Sequence, residues 1–167
     1  TTTSILHRQL ASDLPMPIGF KNTLDGCILS AVNGVKVASL PQKFLGINPE
    51  GRVALITSSG NPHCHVVLRG GTFTGPNYDI PSIKKTLHLL EEAQLPQKIL
   101  IDLSHQNSGK KPKKQIDIFK TLMHYREKGI KSIFGCMLES YIQGGCQKTP
   151  VHYGQSLTDP CLSWEET

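Results

Sequence analysis

The stretch ILIDLSHQNSGKKPKKQ, residues 99–115, decides how this chain is read. It begins as a run of apolar residues and then presents Asp102, Ser104, His105 and the lysines Lys110, Lys111, Lys113 and Lys114 in quick succession. A short apolar run bounded by polar residues fits a strand buried on both faces, as parallel strands covered by helices are. The sudden change to chemically able side chains fits the carboxyl end of such a strand, where α/β folds build their sites.

Three other runs share the pattern: MPIGFKN over 16–22, HVVLRGG over 65–71 and SIFGCMLES over 132–140, which bring Lys21, Arg69 and Glu139 to their ends. Between them the spacing predicts a helix from Asp25 through Ser39 and another from Asp79 and Pro81 through Ala93, with Ile83, Leu87 and Leu90 on one face. A third helix is expected over 113–128, with Ile116, Phe119, Leu122 and Met123 on one face and Gly129 as its stop. KFLGINPEGRVALITSSG reads as an inserted β-hairpin around the turn Asn48-Pro49-Glu50-Gly51. Strands alternating with helices predict the α/β class, a parallel sheet with crossover helices. Four functional strand ends at one mouth favour a TIM-type (β/α)8 barrel over a doubly wound sheet, which would spread them apart. This chain would supply about half of such a barrel.

The ends agree with that reading. TTTSILHRQLASDL looks like an amphipathic helix capped by hydroxyl residues and carrying Ile5, Leu6, Leu10 and Leu14. At the other end Asp159 or Ser163 is expected to start a helix without room to run. Residues 1–167 are thus expected to be a single partial domain, cut from a larger one.

A chain of 167 residues with 38% hydrophobic content is long enough for a sizeable core. No apolar run approaches the roughly 18–20 residues that span a bilayer, and no secretory leader is visible, so a cytoplasmic protein without membrane contact is expected. Eighteen Lys and Arg against 13 Asp and Glu give a net charge of +5. That excess is compatible with nucleic acid, an anionic surface or a phosphorylated small molecule. The lysines after His105 lack interleaved aromatics and sit at a helix entrance, so they read as a solvated loop in which Lys110 attracts a phosphate, and no nucleic acid is expected. The five cysteines are odd in number and never form a CxxC pair, which predicts free thiols. In Asn61-Pro62-His63-Cys64-His65 the two histidines share one face of a strand without a further ligand, and the motif reads as structural.

His105, Glu139 and the Asp159 of SLTDP form a mixed nitrogen and oxygen set suited to a divalent metal ion: manganese, iron, cobalt or zinc. Taken singly, a histidine after a strand is more often a hydrogen-bonded structural residue than a ligand, and Glu139 also suits a helix cap. Lys21 and Arg69 are cations at the ends of apolar strands, and each needs an anionic partner. Glu139 or Asp102 would do; for the pair together, beside the Gly70-Gly71 turn, a phosphorylated or carboxylated ligand fits better.

In order along the chain, HRQLASDLPMPIGFKN, GNPHCHVVLRGG, IDLSHQNSGKKPKKQ, GCMLES and YGQSLTDPCLSWEET resemble blocks of the C-terminal half of type I 3-deoxy-D-arabino-heptulosonate 7-phosphate (DAHP) synthases, the first enzymes of the shikimate pathway. The resemblance implies a metal-dependent, aldol-like condensation of phosphoenolpyruvate with erythrose 4-phosphate in a (β/α) barrel. Carried over by motif, it makes His105, Glu139 and Asp159 metal ligands, and Lys21 and Arg69 the holders of the carboxylate and phosphate of phosphoenolpyruvate. Lys21, His105 and Asp159 would be catalytic, Asp159 also contacting the incoming aldehyde. The family's remaining cysteine ligand and other basic residues belong to the first strands, so the missing half or a second chain is an expected partner, as is a homo-oligomer. Family feedback pockets use the helix before GFKN and the hairpin; Leu10, Leu14, Phe44 and Ile56 keep their apolar character, while Pro15 and Gly46 stand where serines are common. The rival expectation from another class is a truncated, non-catalytic module that keeps the metal and anion pocket.

Overall fold

The structure is a computed structural model that describes residues 4–167. In chain order its elements are α1 (Ile5–Asp13), β1 (Gly19–Lys21), α2 (Ile28–Ser39), β2 (Gln42–Ile47), β3 (Val53–Ser58), β4 (His65–Leu68), α3 (Ile80–Glu92), β5 (Ile99–Asp102), α4 (His105–Ser108), α5 (Lys114–Glu127), β6 (Ile133–Met137), β7 (Gln143–Cys146) and β8 (Gln155–Ser156). The four apolar runs of the sequence become one parallel sheet in the order β1-β4-β5-β6. The fold is therefore α/β with a parallel sheet, and within the described residues that sheet is open rather than closed into a barrel. Among the described strands, β1 and β6 each pair on one side only.

The core lies between the sheet and the helices that connect its strands. Val66, Leu68, Ile99, Ile101 and Ile133 are fully buried, as the β-branched, apolar strand composition requires. Helix α2 presents Ala31, Val32, Val35 and Ala38 to the sheet, all buried. Gly34 lets it approach closely, since a Cβ there would lie 2.7 Å from a ring carbon of Phe20. In α3, Asp79 caps the N-terminus through Ser82 N–H and Ser82 Oγ, Pro81 fits the first turn, and Ile83 and Leu90 are buried while Leu87 is half-buried. Each fully buried Ile or Leu contributes about 1.5–3 kcal/mol through removal from water.

Several local expectations shift. Thr1–Thr3, part of the expected hydroxyl cap, lie outside the described residues; within them Ser4 Oγ accepts from His7 N–H and caps α1. The buried residues of α1 are Ala11 and Ser12, whereas Ile5, Leu6 and Leu10 are exposed. The reason is Ser12, whose Oγ meets Ser58 Oγ at 2.7 Å on the hairpin and fixes which side of the helix turns inward. Helix α2 starts at Ile28 rather than Asp25; the Asp25 carboxylate instead accepts from Cys27 N–H and Thr23 Oγ1 in a turn before it.

Helix α5 buries Gln115, Ile118 and Leu122, so only Leu122 of the expected face is fully buried. Gln115 sets that rotation by bonding both ways with the Glu139 backbone, at 2.9 and 3.2 Å. Phe119 and Met123 are left exposed, and Met123 lines a shallow pocket with Phe134 and Cys136 of β6.

No helix starts at Asp159 or Ser163. Residues after β6 build a small parallel pair, β7 and β8, that the sequence reading missed. Among the described residues no helix is long and apolar enough to cross a membrane, and all five cysteines are free thiols. Residues 63–65 behave structurally. Cys64 is buried, and His65 donates from Nδ1 to His63 O and meets the Phe134 ring edge-on, with centroids 5.0 Å apart.

Candidate metal and anion site

Every strand of the four-stranded parallel sheet delivers a functional group at or just beyond its carboxyl end. Lys21 is the last residue of β1, Arg69 directly follows β4, Asp102 is the last residue of β5, and Glu139 follows β6. His105 stands at the start of α4 with φ 49°, a left-handed conformation uncommon outside glycine. Such backbone persists where surrounding contacts hold it. Here the His105 carbonyl accepts from Lys110 N–H at 2.8 Å, closing the turn, and Gly109 continues it with φ 60°.

Asp102 is the hub, with no exposed surface on its side chain. Its Oδ2 accepts from Lys21 Nζ at 2.7 Å and lies 2.8 Å from His105 Nδ1, which also stands 2.8 Å from Ser104 Oγ. Its Oδ1 accepts from Ser104 N–H at 2.9 Å and Ser104 Oγ–H at 2.6 Å. Burial, the largest single influence, pushes its carboxyl upward, but the bonds from His105, Lys21 and Ser104 together hold it well below the usual carboxylate range. Asp102 is thus an anion that accepts at both oxygens twice over.

With Nδ1 directed at Asp102, Nε2 faces away from the core. That nitrogen lies 3.3 Å from Glu139 Oε1 and 4.0 Å from Asp159 Oδ2. One ligand atom from each of His105, Glu139 and Asp159 falls within 4.8 Å of the others. Two carboxylates converging on an imidazole nitrogen repel one another unless a cation lies between them, and this donor set fits a divalent ion.

Asp159 reaches the site without belonging to the main sheet. Its segment is tied back by Leu162, which is buried, donates its N–H to Glu139 O at 3.0 Å and accepts from Tyr141 N–H at 2.9 Å. Lys110 Nζ donates to Asp159 Oδ1 at 2.8 Å, so this lysine has a carboxylate partner within the site. That bond, with the charges of Lys110, His105 and Arg69, lowers the Asp159 pKa against the upward push of burial.

Arg69 is 8% exposed, and its Nη1 has no hydrogen-bond partner among the described residues. A buried guanidinium nitrogen left unbonded is costly, and it points to an anionic ligand. The loop carrying Arg69 is held by three buried asparagines. Asn22 Oδ1 accepts from Arg69 N–H at 2.8 Å and from Asn77 Nδ2 at 3.1 Å. Asn77 Oδ1 accepts from Gly70 N–H at 2.7 Å, and Asn107 Oδ1 accepts from Asn77 N–H at 2.9 Å. Asn107 Nδ2 then donates to the carbonyls of Leu68 and Asp102, at 3.1 and 2.7 Å. Gly70 adopts φ 75°, and a Cβ there would stand 2.9 Å from Asn107 N, so the close approach is made to the backbone of α4.

Of the residues expected from sequence, His105, Glu139 and Asp159 converge directly. Lys21 joins them through Asp102, and Arg69 acts on Asp159 through its charge. The asparagines were missed as functional support. Their only signal was position, each a short way beyond a strand end.

The sequence profile of the DAHP synthetase I family matches residues 1–167. The chain belongs to that family. The Tyr-sensitive phospho-2-dehydro-3-deoxyheptonate aldolase of Salmonella typhimurium is 41% identical over 172 residues, covering all of this chain and 48% of the relative. The Phe-sensitive enzyme of Escherichia coli strain K12 is likewise 41% identical, over 171 residues, with 48% of it covered. The structure of phospho-2-dehydro-3-deoxyheptonate aldolase from Francisella tularensis superposes with a TM-score of 0.93 at 40% identity, over 99% of this chain and 49% of that one. This DAHP synthetase I chain therefore spans about half the length of the relatives it matches.

Proposed function

We propose that the full polypeptide condenses phosphoenolpyruvate with erythrose 4-phosphate and water to give DAHP and inorganic phosphate, with residues 1–167 forming the C-terminal half of a (β/α)8 barrel. The parallel sheet with two unpaired edges and the half-length match to each relative support the half-barrel reading. One observation carries the chemistry: a His105, Glu139 and Asp159 donor set stands at the same strand ends as the buried, unbonded Nη1 of Arg69 and the Asp102-anchored Lys21.

In this reading Lys21 and Arg69 hold the carboxylate and phosphate of phosphoenolpyruvate, which removes much of the entropic cost of bringing two substrates together. His105, Glu139 and Asp159 hold the ion, which supplies a Lewis acid for the aldehyde oxygen of the sugar phosphate. The methylene carbon of phosphoenolpyruvate then forms the new carbon–carbon bond, the aldehyde oxygen takes a proton and becomes a hydroxyl beside Asp159, water adds at the phosphate-bearing carbon, and loss of phosphate from that carbon leaves the ketone of DAHP. The partner is the missing barrel half, from the same polypeptide or a second chain, and the assembly is a homo-oligomer.

The test is phosphate release by the full polypeptide from phosphoenolpyruvate and erythrose 4-phosphate together, with manganese, iron, cobalt or zinc. Release that needs both substrates, stops with a chelator and returns with metal is expected. No release with any of the four ions would leave a non-catalytic metal and anion module in its place.

A further inference from the structure

One oxygen of Asp102 serves two ligand sites. Oδ2 accepts from Lys21 Nζ on the anion side and from His105 Nδ1–H on the metal side, at 2.7 and 2.8 Å. Oδ1 cannot share the load, because Ser104 N–H and Ser104 Oγ–H already occupy it. Nor can the carboxylate turn, since it is fully buried at the end of β5 and its own carbonyl is held by Asn107. The Lys21 side chain, by contrast, is 36% exposed and free to lean toward an incoming anion.

We propose that Asp102 is a positioning residue that couples the two sites, so that an anion engaging Lys21 tightens metal binding at His105, and metal binding tightens the anion in return. The inference rests on the metal and phosphoenolpyruvate reading given above. An oxygen relieved of part of its bond to Lys21 accepts more strongly from His105 Nδ1–H. The ring is then held more firmly and its Nε2 is a better electron-pair donor, as in carboxylate–histidine–metal triads generally. The reciprocal effect follows from thermodynamic linkage.

The experiment uses the full polypeptide and reads binding rather than turnover. Manganese affinity is measured by electron paramagnetic resonance with and without phosphoenolpyruvate, and phosphoenolpyruvate affinity by calorimetry with and without manganese. In the wild type each ligand is expected to tighten the other about fivefold. In Asp102→Asn manganese should weaken about 10-fold to 100-fold, and phosphoenolpyruvate should no longer alter it. Coupling that survives in D102N, or is absent from the wild type, overturns the proposal.

A second measurement needs no variant at Asp102. The His105 Nδ1 proton, followed by nuclear magnetic resonance, should move downfield when phosphoenolpyruvate binds without metal; a stationary resonance overturns the proposal equally. His105→Ala and Glu139→Gln separate this from failure of the underlying reading. If they bind manganese as the wild type does, the metal site itself is wrong; if they lose it while the wild type shows no coupling, only the role of Asp102 falls.

Discussion

The two ends of the parallel sheet use buried polar groups differently. At the amino end Asn61 is buried, and its Nδ2 donates to the carbonyls of Ala11, Leu14 and Met16, which fastens one loop to another. At the same end Cys64, Ile99 and Ile133 are buried, and His65 meets the Phe134 ring. At the carboxyl end Asn22, Asn77 and Asn107 also bond backbone, but the loops they fasten carry Arg69, Asp102 and His105. The same residue type closes one end and arms the other. The difference lies in which groups are left with unused capacity: among the described residues, the buried side-chain nitrogen without a partner is Nη1 of Arg69, at the carboxyl end.

Substitutions at the two ends should therefore separate function from stability. The largest effect is expected for Lys21→Ala in the full polypeptide, a loss of about 100-fold or more in kcat/KM, accompanied by a fall in thermal stability because the buried Asp102 carboxylate loses a charged partner. Near-normal kinetics would remove Lys21 from the site and erase the contrast. Next comes Asn107→Leu. It strands Asn77 N–H and the carbonyls of Leu68 and Asp102, and a destabilisation of about 3 kcal/mol by denaturant titration is expected. A cost below about 0.5 kcal/mol would mean that this network is dispensable.

Ile99→Val at the amino end should cost about 1 kcal/mol and leave kcat/KM unchanged, since it removes one buried methylene far from the strand ends that carry the chemistry. An equal loss of activity would show that the ends are mechanically linked. The smallest effect concerns thiols. Burial pushes Cys64 up to about 11, whereas the bond from Ser30 lowers the exposed Cys27. The thiolate is the reactive form, so iodoacetamide at about pH 8 should modify Cys27 first and Cys64 last, as read by peptide mass spectrometry. Early labelling of Cys64 would show that the amino end opens.

Much of this contrast was readable in the chain. Apolar runs ending in Lys21, Arg69, His105 and Glu139 were visible because a strand buried on both faces leaves no alternation to blur it, and the hairpin turn at Asn48–Gly51 is closed by the expected bond, Gly51 N–H to Asn48 O. Helix faces were less legible. Apolar spacing placed Phe119 and Met123 inward on α5, yet the Gln115 bonds to the Glu139 backbone turn the helix toward Ile118. A single long-range polar contact outweighs a few exposed methylenes, and nothing local announces it. Asp102 was visible as an inner-strand carboxylate, but its double duty depends on side chains from β1 and α4 meeting in space. The position of Asp159 depends on Leu162 and β7–β8, short elements with no periodic signal.

The insertion of the β2–β3 hairpin between β1 and β4 also bears on the order of events in folding. Ile47 pairs with Val53 across a tight turn, a contact that local chain motion makes within about 1–10 μs. Gly19 must wait for His65, beyond a helix and that whole hairpin, before β1 gains its only partner among the described strands. Loop closure of this length is paid before any pairing rewards it. Lys21 is thus brought to the anion site by the pairing of the sheet that spans the most chain.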